Sequence, residues 1–397
     1  MNGQISGAIA TVPFDSSAGS RVYTAGQYEI AILTAAEDVR ALEARAAALV
    51  SRPLEPNVFY EPWMLAAAMS TLGESVQVVV ISERLSGEVT GIFPLQLAAK
   101  FRGLPIRVLK SWRHPYCFLC TPLIAQAHAR ATVRCFLDWL ESPTAPARIV
   151  DLELCSADGA FDRLLSSELS ARSRWRSVAK TYQRALLRPT KNPVSGLSSR
   201  HLSELRRQER RLNELGPCKV RLYETPDDIR RGLTEFLRLE ASGWKGREQT
   251  ALASSDASRE FFLRIAHEAM AQGRLRLLAL ELSGVPIAMM CDFITGNGAF
   301  GFKIAYDESY AKQSPGLLLH HFNMQQWAAG QQPPEWVDSC AVPDHAMMNR
   351  LWPERRTLAD RVMSPRRMTG LVLDNWEHFA RARKLMQRSL RTFARKS

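Results

Sequence analysis

Hydrophobic residues recur along this chain at spacings that predict two similar series of helices and strands. In the first half, the spacing predicts helices at about residues 36–50, 61–72 and 130–141 and strands with the sequences VQVVVIS, GIFPLQLAA and RIVDLEL. In the second half, it predicts a strand at 218–223, helices at about 226–243 and 257–272, and strands LRLLALEL, VPIAMMCDFI, GAFGFKIAY and WVDSCA. This mixture of helices and strands in both halves predicts an α+β fold.

A unit of strand, turn and strand occurs in each half around the same tripeptide. Leu85-Ser86-Gly87 forms the turn in the first half, and Leu282-Ser283-Gly284 follows it at a spacing of 197 residues. This recurrence predicts a duplicated α+β unit. Proline, glycine and serine punctuate residues 188–196, where we place a linker. The predicted organisation is a flexible leader at 1–26, a first domain at 27–188, a second domain at 197–370 and a terminal helix at 371–397.

The stretch from 300 to 329 is the most informative for function, because an apolar strand runs through a polar loop into a helix. Ser314 can cap this helix with its hydroxyl, and Pro315 suits the first helical position. The backbone amides of Gly316 and Leu317 then face outward at the positive end of the helix dipole. Such a helix start binds anions, and phosphate in particular. Any strand followed by a capped helix has a similar pattern, so a purely structural interpretation stays open.

Length and composition allow two globular domains and exclude several classes of protein. At 397 residues and 46% hydrophobic, the chain is ample for two cores. No run reaches about 18 apolar residues, which argues against a membrane-spanning helix. The first 25 residues lack the basic start and apolar centre of a secretory signal. We therefore expect a cytoplasmic protein.

The cysteines resemble the buried thiols of a reducing compartment more than a disulfide framework, because there are seven of them in apolar segments. Cys117 and Cys120 form one CxxC pair. The segment CFLC is typical of a strand, however, and a zinc site needs further ligands in a turn-rich context. We expect no metal.

The formal net charge of +12 is distributed unevenly. Residues 375–397 hold seven Lys or Arg against one Glu, and their spacing predicts a basic amphipathic helix. Such a helix either packs on the body of the protein or makes a peripheral contact with an anionic membrane, which would place the protein at the inner face of the membrane. The basic residues lack the interleaved aromatic residues of a stacking platform, so we expect no nucleic-acid partner. A second charged helix is predicted at 199–215, where a solvated, salt-bridged face is the default interpretation and a phosphate grip by paired arginines stays open.

Three motifs of the second half point together to one family. They are EASGWKG at 240–246, FKIAYD at 302–307 with Tyr310, and Ser314-Pro315-Gly316. In this order they resemble the GNAT superfamily of acyltransferases, in the branch of cellulose-biosynthesis-associated acetyltransferases close to the Fem-type peptidoglycan ligases. The resemblance implies two tandem GNAT-like domains, with mixed, mostly antiparallel sheets flanked by helices. It also implies acetyl-CoA or a longer acyl-CoA as the donor, held by the second domain.

Acyl transfer from a thioester needs a neutral amine, a donor for the oxyanion, a base, and a proton for the leaving thiolate. The resemblance implies that the backbone of residues 302–305 supplies the oxyanion donor. We expect the catalytic side chains to be Glu240, Lys303 and His320. We expect the acyl donor to contact Ala305, Tyr306, Tyr310, Lys312, Ser314, Gly316 and Leu317. We expect the acceptor to contact Trp244, Lys245, Asp292 and Asp344.

Structural roles stay open for several of these residues. Lys303 could face solvent on one side of the sheet, and His320 could be a hydrogen-bonded core residue. Trp244 could plug the core at the end of its helix. After WVDSCA the chain departs from the family pattern, which puts a sugar-type acceptor in doubt and leaves room for a specialised one.

The resulting hypothesis is an acyl-CoA-dependent N-acyltransferase that acts on a small-molecule or lipid-like amine of the cell envelope by direct attack in a ternary complex. A narrower alternative is long-chain acyl transfer to a sphingoid-type amino alcohol. Two further alternatives are a Fem-type ligase that uses aminoacyl-tRNA and a non-catalytic anion-binding module.

Overall fold

The computed structural model of the chain describes residues 20–73, 75–101, 105–172, 176–189 and 197–365. The first half contains strands β1 (Ser20–Ala25), β2 (Tyr28–Leu33), β3 (Gln77–Glu83), β4 (Val89–Ala98), β5 (Val108–Ser111), β6 (Leu123–Ile124), β7 (Ile149–Ser156) and β8 (Arg176–Leu187). Its helices are α1 (Ala36–Arg40), α2 (Ala47–Ser51), α3 (Pro62–Leu72), α4 (Ala129–Glu141) and α5 (Ala160–Ala171).

The second half contains helices α6 (Ser199–Asn213), α7 (Pro226–Ser242), α8 (Trp244–Arg247), α9 (Asp256–Ala271), α10 (Pro315–Ala329) and α11 (Ala346–Leu351). Its strands are β9 (Cys218–Tyr223), β10 (Leu275–Leu282), β11 (Val285–Thr295), β12 (Gly298–Tyr306), β13 (Trp336–Asp338) and β14 (Glu354–Ser364). The predicted α+β class is confirmed.

The strands of both halves form one continuous sheet. Its order is β1-β2-β3-β4-β5-β7-β14-β8-β13-β12-β11-β10-β9, with β6 paired to β4. β14 lies between β7 and β8 and is antiparallel to both. The last described strand of the second half is therefore built into the sheet of the first half, and the two halves share backbone hydrogen bonds as well as side-chain contacts.

The two halves follow the same order of elements. In each, a strand (β2 or β9) is followed by helices and by three antiparallel strands, which are β3, β4 and β5 in the first half and β10, β11 and β12 in the second. A helix then leads to a strand that runs parallel to the third of these, β7 beside β5 and β13 beside β12. The order of elements agrees with the predicted duplication.

The halves meet through a buried aromatic and ionic contact. The ring of Phe59 lies 5.0 Å from that of Phe300, centre to centre. The buried carboxylate of Glu61 accepts hydrogen bonds from Arg274 at 2.6 Å and from Thr295 at 2.7 Å. A buried carboxylate is stable only when it is paired in this way, so this ion pair fixes how α3 lies against the second half.

Several elements differ from the predictions. β1 occupies residues that the sequence assigned to a flexible leader at 1–26, so the predicted leader extends too far along the chain. The predicted helix at 36–50 is divided into α1 and α2. The strands β8 and β14 were missed because charged residues occur throughout them, although Leu358 and Met363 of β14 are buried. Most of the predicted linker and the predicted basic helix at 371–397 lie outside the described residues.

Candidate functional site

The parallel strands β12 and β13 separate after a short contact. They pair over residues 298–300 and 336–338, and β12 then continues to Tyr306. At the same place β12 carries an extra residue between Gly301 and Lys303, a β-bulge that bends the strand. Because β13 diverges here, the edge of β12 beyond residue 300 faces a gap.

A cavity of about 530 Å³ lies at this gap, which we call the first cavity. Its volume is in the range of small-molecule binding sites. Its walls come from α7 and α8, from the end of β12, from the start of α10 and from the segment around α11. The lining residues are Leu239, Glu240, Gly243, Trp244, Lys245, Ile304, Ala305, Tyr306, Ala311, Ser314, Pro315, Gly316, Leu317, His345, Met347 and Arg350.

The backbone of Ile304 faces this cavity. The amide of Asp307 donates to the carbonyl of Ile287 in β11 at 2.8 Å. The backbone N–H and C=O groups of every second residue before it, such as Ala305, therefore point toward β11, and those of Ile304 point away from it. The carbonyl of Ile304 instead accepts a hydrogen bond from the Lys245 ammonium at 2.7 Å. In a strand, the N–H and C=O of one residue point to the same side, so the N–H of Ile304 also points into the gap.

Glu240 joins two lysines at the wall of the first cavity. Its Oε1 accepts hydrogen bonds from Lys245 Nζ at 3.2 Å and from Lys303 Nζ at 3.0 Å, and its Oε2 accepts one from the amide of Leu252 at 2.8 Å. The carboxylate is fully buried. Since both oxygens already accept hydrogen bonds, the geometry favours an orienting role for Glu240 over a role as the general base.

Lys245 combines a cavity position with a perturbed charge. Burial lowers the pKa of its ammonium, Glu240 acts in the opposite direction, and the nearby Lys303 lowers the pKa further. Lys303 does not line the cavity; its ammonium lies 5.1 Å from the ring centre of Tyr116, a residue of the first half. Of the two lysines, Lys245 is therefore the one that can exchange a proton with a bound ligand.

The start of α10 forms one end of the cavity, but Ser314 does not cap it as predicted. Ser314 adopts a left-handed conformation with φ 52° and ψ 53°, and its side chain makes no capping hydrogen bond. Its carbonyl accepts the first helical bond, from Leu318 at 3.1 Å. The amides of Gly316 and Leu317 lie in the first turn, where no intrahelical acceptor is available. This helix start keeps the anion-binding capacity that the sequence predicts.

The predicted donor contacts divide into two groups. Ala305, Tyr306, Ser314, Gly316 and Leu317 line the first cavity, as the sequence suggested. Tyr310 and Lys312 do not. They belong to the 3-10 helix Glu308–Gln313, in which Lys312 is exposed and Tyr310 packs in the apolar cluster that also holds Leu205 of α6. Their positions do not support the predicted donor contacts.

The histidine that lines the cavity is His345, not the predicted His320. His320 is 7% exposed, and its ring meets Trp352 edge to face at 6.0 Å. Burial and the nearby His345 lower its pKa to about 4, so it is neutral near pH 7. The Nδ1 of His345 accepts a hydrogen bond from the amide of Met348 at 3.3 Å and so begins α11. The proton of a neutral His345 therefore sits on Nε2.

The two aspartates predicted to bind the acceptor lie away from the first cavity. Asp292 is buried on β11, where Asn323 of α10 donates to it at 3.0 Å. Burial raises its pKa to about 6, and the opposing effects of Arg276 and Asn323 are smaller. Asp344 is exposed on the loop before α11. Asp292 therefore fixes α10 to the sheet, and neither position supports an acceptor contact.

Trp244 lies at the mouth of the cavity and is 44% exposed, so it does not plug the core. Its amide donates to Glu308 at 2.8 Å, and Arg247 pairs with the same carboxylate at 2.8 Å. Glu308 belongs to the loop between β12 and α10. This carboxylate thus connects the two walls of the opening and holds Trp244 and Lys245 next to β12.

Sequence reasoning missed the segment that contributes His345, Met347 and Arg350 to the cavity. The sequence shows only a departure from the family pattern there, because the six residues of α11 are too few for an apolar period.

Among the described residues there is no group of three or more metal-ligating side chains, and no helix long and apolar enough to cross a membrane. Cys117 and Cys120 have their sulfurs 3.8 Å apart in a buried loop.

The part of the chain that contains this cavity matches a known family by sequence. Residues 199–338 match the family described as acetyltransferase (GNAT) domain. The gap between β12 and β13 lies inside the matched residues, whereas α11, which closes the cavity, follows them. No curated protein matches the chain by sequence.

Solved structures with similar folds cover more than four fifths of the chain. FemX has a TM-score of 0.53 and 13% identity over 81% of this chain and 94% of that one. The C-terminal domain (DUF2156) of a putative lysylphosphatidylglycerol synthetase from Agrobacterium fabrum has a TM-score of 0.51 and 14% identity, over 86% and 96%. At these identities the likeness shows the fold alone. The GNAT-type fold and its tandem arrangement are confirmed, and the cellulose-biosynthesis branch stays a prediction.

Proposed function

We propose that this protein is an acyl-CoA-dependent N-acyltransferase that acylates an amine of a cell-envelope glycan or lipid precursor. The observation that carries the proposal is the first cavity, which connects the free amides at the start of α10 with the open edge of β12. A thioester carrier needs both features, since its phosphates require an anion site and its carbonyl requires an oxyanion donor. The match of residues 199–338 to the GNAT domain supports acyl transfer as the reaction.

The donor would lie along the cavity with its diphosphate at the amides of Gly316 and Leu317. The pantetheine arm would follow the apolar wall formed by Ile304, Ala305 and Leu317. In this arrangement the thioester carbonyl reaches the cavity-facing N–H of Ile304. That N–H would stabilise the negative charge that develops on the carbonyl oxygen during attack.

Lys245 is our candidate for the general base. Its ammonium is bonded to Ile304 and Glu240, and a neutral amine could keep both bonds with its two N–H groups while its lone pair faces the cavity. The acceptor amine would attack the thioester carbon and transfer its excess proton to Lys245 as the carbon–sulfur bond breaks. The lowered pKa of Lys245 increases the fraction of neutral amine near physiological pH.

The phenol of Tyr306, which lies on the β12 side of the cavity, is our candidate for the proton donor to the leaving thiolate. His345 carries its only ring proton on Nε2, because its Nδ1 accepts a hydrogen bond from a backbone amide of α11. A neutral imidazole is too weak an acid to give up that proton, so the Nε2–H of His345 would stabilise the thiolate by a hydrogen bond. Glu240 and Lys303 would hold Lys245 in place.

The acceptor would enter past Trp244, whose exposed ring offers an apolar surface next to the ammonium of Lys245. A lipid-like amine fits this mixture of apolar surface and charge as well as a small polar one does. With the basic helix predicted at 371–397, we place the protein at the cytoplasmic face of the membrane.

The test is an acyl-transfer assay with acyl-CoA of several chain lengths and a panel of sugar amines and long-chain amino alcohols, with free thiol as the readout. We expect amine-dependent thiol release. Release restricted to short chains and sugar amines would remove the lipid-like acceptor. Activity that depends on aminoacyl-tRNA and disappears after ribonuclease treatment would replace CoA as the donor, and binding of CoA without turnover would favour the anion-binding module.

A further inference from the structure

The β-bulge in β12 turns two consecutive side chains toward the same face of the sheet. Phe302 and Lys303 both point to the side that carries α7 and α9, because the extra residue at a bulge breaks the alternation of a strand. The ring of Phe302 stacks on Phe262 of α9 with centres 6.1 Å apart, and Lys303 contacts Glu240 of α7. The bulge therefore places a second ammonium group behind the wall of the first cavity, close to that of Lys245.

Lys245 and Lys303 compete for one carboxylate oxygen. Both ammonium groups donate to Oε1 of Glu240, at 3.2 Å and 3.0 Å, and the two side chains are 21% and 13% exposed. When both lysines are protonated, the site carries one positive charge more than its carboxylate neutralises, in surroundings that water screens poorly. Loss of one proton relieves this repulsion, so the lysine whose charge is supported less by its surroundings becomes neutral first.

An aromatic ring of the first half supports the charge of Lys303. The ammonium of Lys303 lies 5.1 Å from the ring centre of Tyr116, which is buried and stacks on Phe261. The negative face of a buried aromatic ring stabilises a cation at this distance. Lys245 has a weaker contact of the same kind, because its ammonium lies 6.0 Å from the exposed ring of Trp244. Lys303 is therefore the lysine that keeps its proton.

Two charges dominate the surroundings of Lys245. Burial lowers the pKa of its ammonium, the carboxylate of Glu240 raises it, and the charge of Lys303 lowers it further. Arg350 lines the same cavity and stays protonated, so it acts in the same direction as Lys303. The other ionisable side chains at the cavity and its mouth are Tyr306, His345 and the ion pair of Glu308 with Arg247. Because Tyr116 holds Lys303, the first half can influence the protonation of Lys245.

We propose that Lys303 and Tyr116 are positioning residues that keep Lys245 in the neutral form needed to accept the proton of the acceptor amine. Tyr116 holds Lys303 as the charged member of the pair, and the charge of Lys303 drives one proton from Lys245 to the solvent before the acceptor binds. This inference rests on the proposed function, in which Lys245 is the general base. It adds a role for the first half in the chemistry of the second.

The first experiment titrates Lys245 without turnover. Acetic anhydride labels neutral amines, so mass spectrometry of the labelled protein across pH gives the pH at which half of the Lys245 side chains are neutral. This midpoint should rise by at least about one pH unit in Lys303→Met, because Glu240 then faces a single ammonium group. Lys303→Arg keeps the charge and should keep the midpoint.

Lys219→Met is the matched control, since it removes a lysine from an exposed position of β9 and should leave the midpoint unchanged. An unchanged midpoint in Lys303→Met, or an equal rise in Lys303→Arg, would overturn the inference. This result is independent of whether the protein transfers acyl groups, so a failed acyltransferase assay and a failed inference are distinguishable.

The second experiment tests the ring without changing its shape. Trifluorophenylalanine at position 116 weakens the negative face of the ring, whereas Tyr116→Phe keeps it. The midpoint of Lys245 should rise by about half a pH unit with the fluorinated ring and stay at the wild-type value in Tyr116→Phe. Equal midpoints in the two variants would show that the ring does not decide which lysine is charged.

The third experiment separates a positioning role from a structural one through the pH profile of kcat/KM. In Lys303→Met, kcat/KM should be at least about tenfold lower at pH 7, since a rise of one unit in the pKa lowers the neutral fraction of Lys245 tenfold. The loss should disappear at a pH above the raised midpoint, and Lys303→Arg should follow the wild-type profile. The same loss at every pH would contradict the inference.

Discussion

The connection from the third antiparallel strand to the next helix differs between the two halves of the molecule. In the second half, the loop between β12 and α10, which we call the open junction, is short and polar and leaves a cavity beside the diverging strands. In the first half, the corresponding connection between β5 and α4, which we call the closed junction, runs from residue 112 to 128 and is largely buried. Tyr116 of this connection stacks on Phe261 of α9 with ring centres 5.5 Å apart.

The buried connection also forms hydrogen bonds with backbone groups beside its gap. The amide of Cys120 donates to the carbonyl of Leu154 on β7 at 3.1 Å, and Asn57 donates to the carbonyl of Thr121 at 2.7 Å.

Loop length and polarity therefore decide whether the gap between two parallel strands becomes a binding site or part of the core. The first half contributes packing to the site of the second, because the ring of Tyr116 lies against Phe261 and beside the ammonium of Lys303.

The largest expected effect comes from the group that makes the open junction reactive. Lys245→Met should lower kcat/KM by about a thousandfold, and Lys245→Arg should fail to restore it because a guanidinium does not lose its proton. In the wild type, kcat/KM should rise with pH and level off above the pKa of Lys245, which burial lowers from its ordinary value of 10.5.

Steady-state kinetics across pH would measure this, with the exposed Lys219→Met as control. Full activity of Lys245→Arg would exclude Lys245 as the base.

Removal of the buried ring should break the closed junction. Tyr116→Ala should destabilise the protein by about 4 kcal/mol, because the ring fills a site against Phe261 and beneath Lys303. Tyr116→Phe keeps the ring and should stay within about 1 kcal/mol of the wild type. Urea unfolding at pH 7 would measure both, and equal stabilities of the two variants would show that the ring is not part of the core.

A side chain at the start of α10 should close the open junction. A Cβ on Gly316 would lie 3.5 Å from Tyr306 and 3.7 Å from Ile304, so Gly316→Ala fits, whereas the longer side chain of Gly316→Leu must enter the cavity. We expect Gly316→Leu to weaken CoA binding by about a hundredfold and to leave the fold intact.

Calorimetry with CoA would measure the change. Gly330→Leu, at the other end of the same helix, is the control and should bind CoA like the wild type. Unchanged affinity of Gly316→Leu would contradict the site.

The smallest effect concerns a charged residue whose counterpart in the first half is apolar. Asp292 lies 197 residues after Leu95, and the two Leu-Ser-Gly turns have the same spacing of 197 residues, so Asp292 and Leu95 occupy matching positions. The folded pKa of about 6 lies above the ordinary value of 3.8, so the folded state favours the protonated acid. The free energy of unfolding should therefore fall as pH rises from about 4 through 6, and above pH 6 the folded state should carry the full destabilisation from the ionised Asp292.

Asp292→Asn removes this ionisation. It should stabilise the protein by about 2 kcal/mol at pH 8 and by little at pH 4. Urea unfolding at the two pH values would measure this difference, with the exposed Asp344→Asn as control. An equal effect of Asp292→Asn at both values would show that the charge of Asp292 is not the cause.

Several features of the fold follow from local sequence. The apolar alternation of β10 and β12 and the Pro-Gly start of α10 are visible along the chain, and the structure places them where the pattern predicts. The polar loop before α10 likewise indicates the anion-binding helix start. The donor side of the candidate site was therefore largely predictable, because one continuous segment forms it.

The sequence by itself determined the α+β class, the repeated order of elements and the segment from β12 to α10, since periodicity and turn residues act over a few neighbouring positions. Tertiary structure alone decided that His345 and not His320 faces the cavity, that Glu240 holds two lysines, and that a ring of the first half lies beside one of them. The physical reason is that these contacts join residues far apart in the chain, and their geometry depends on where β13 leaves β12 and on which loop fills the space.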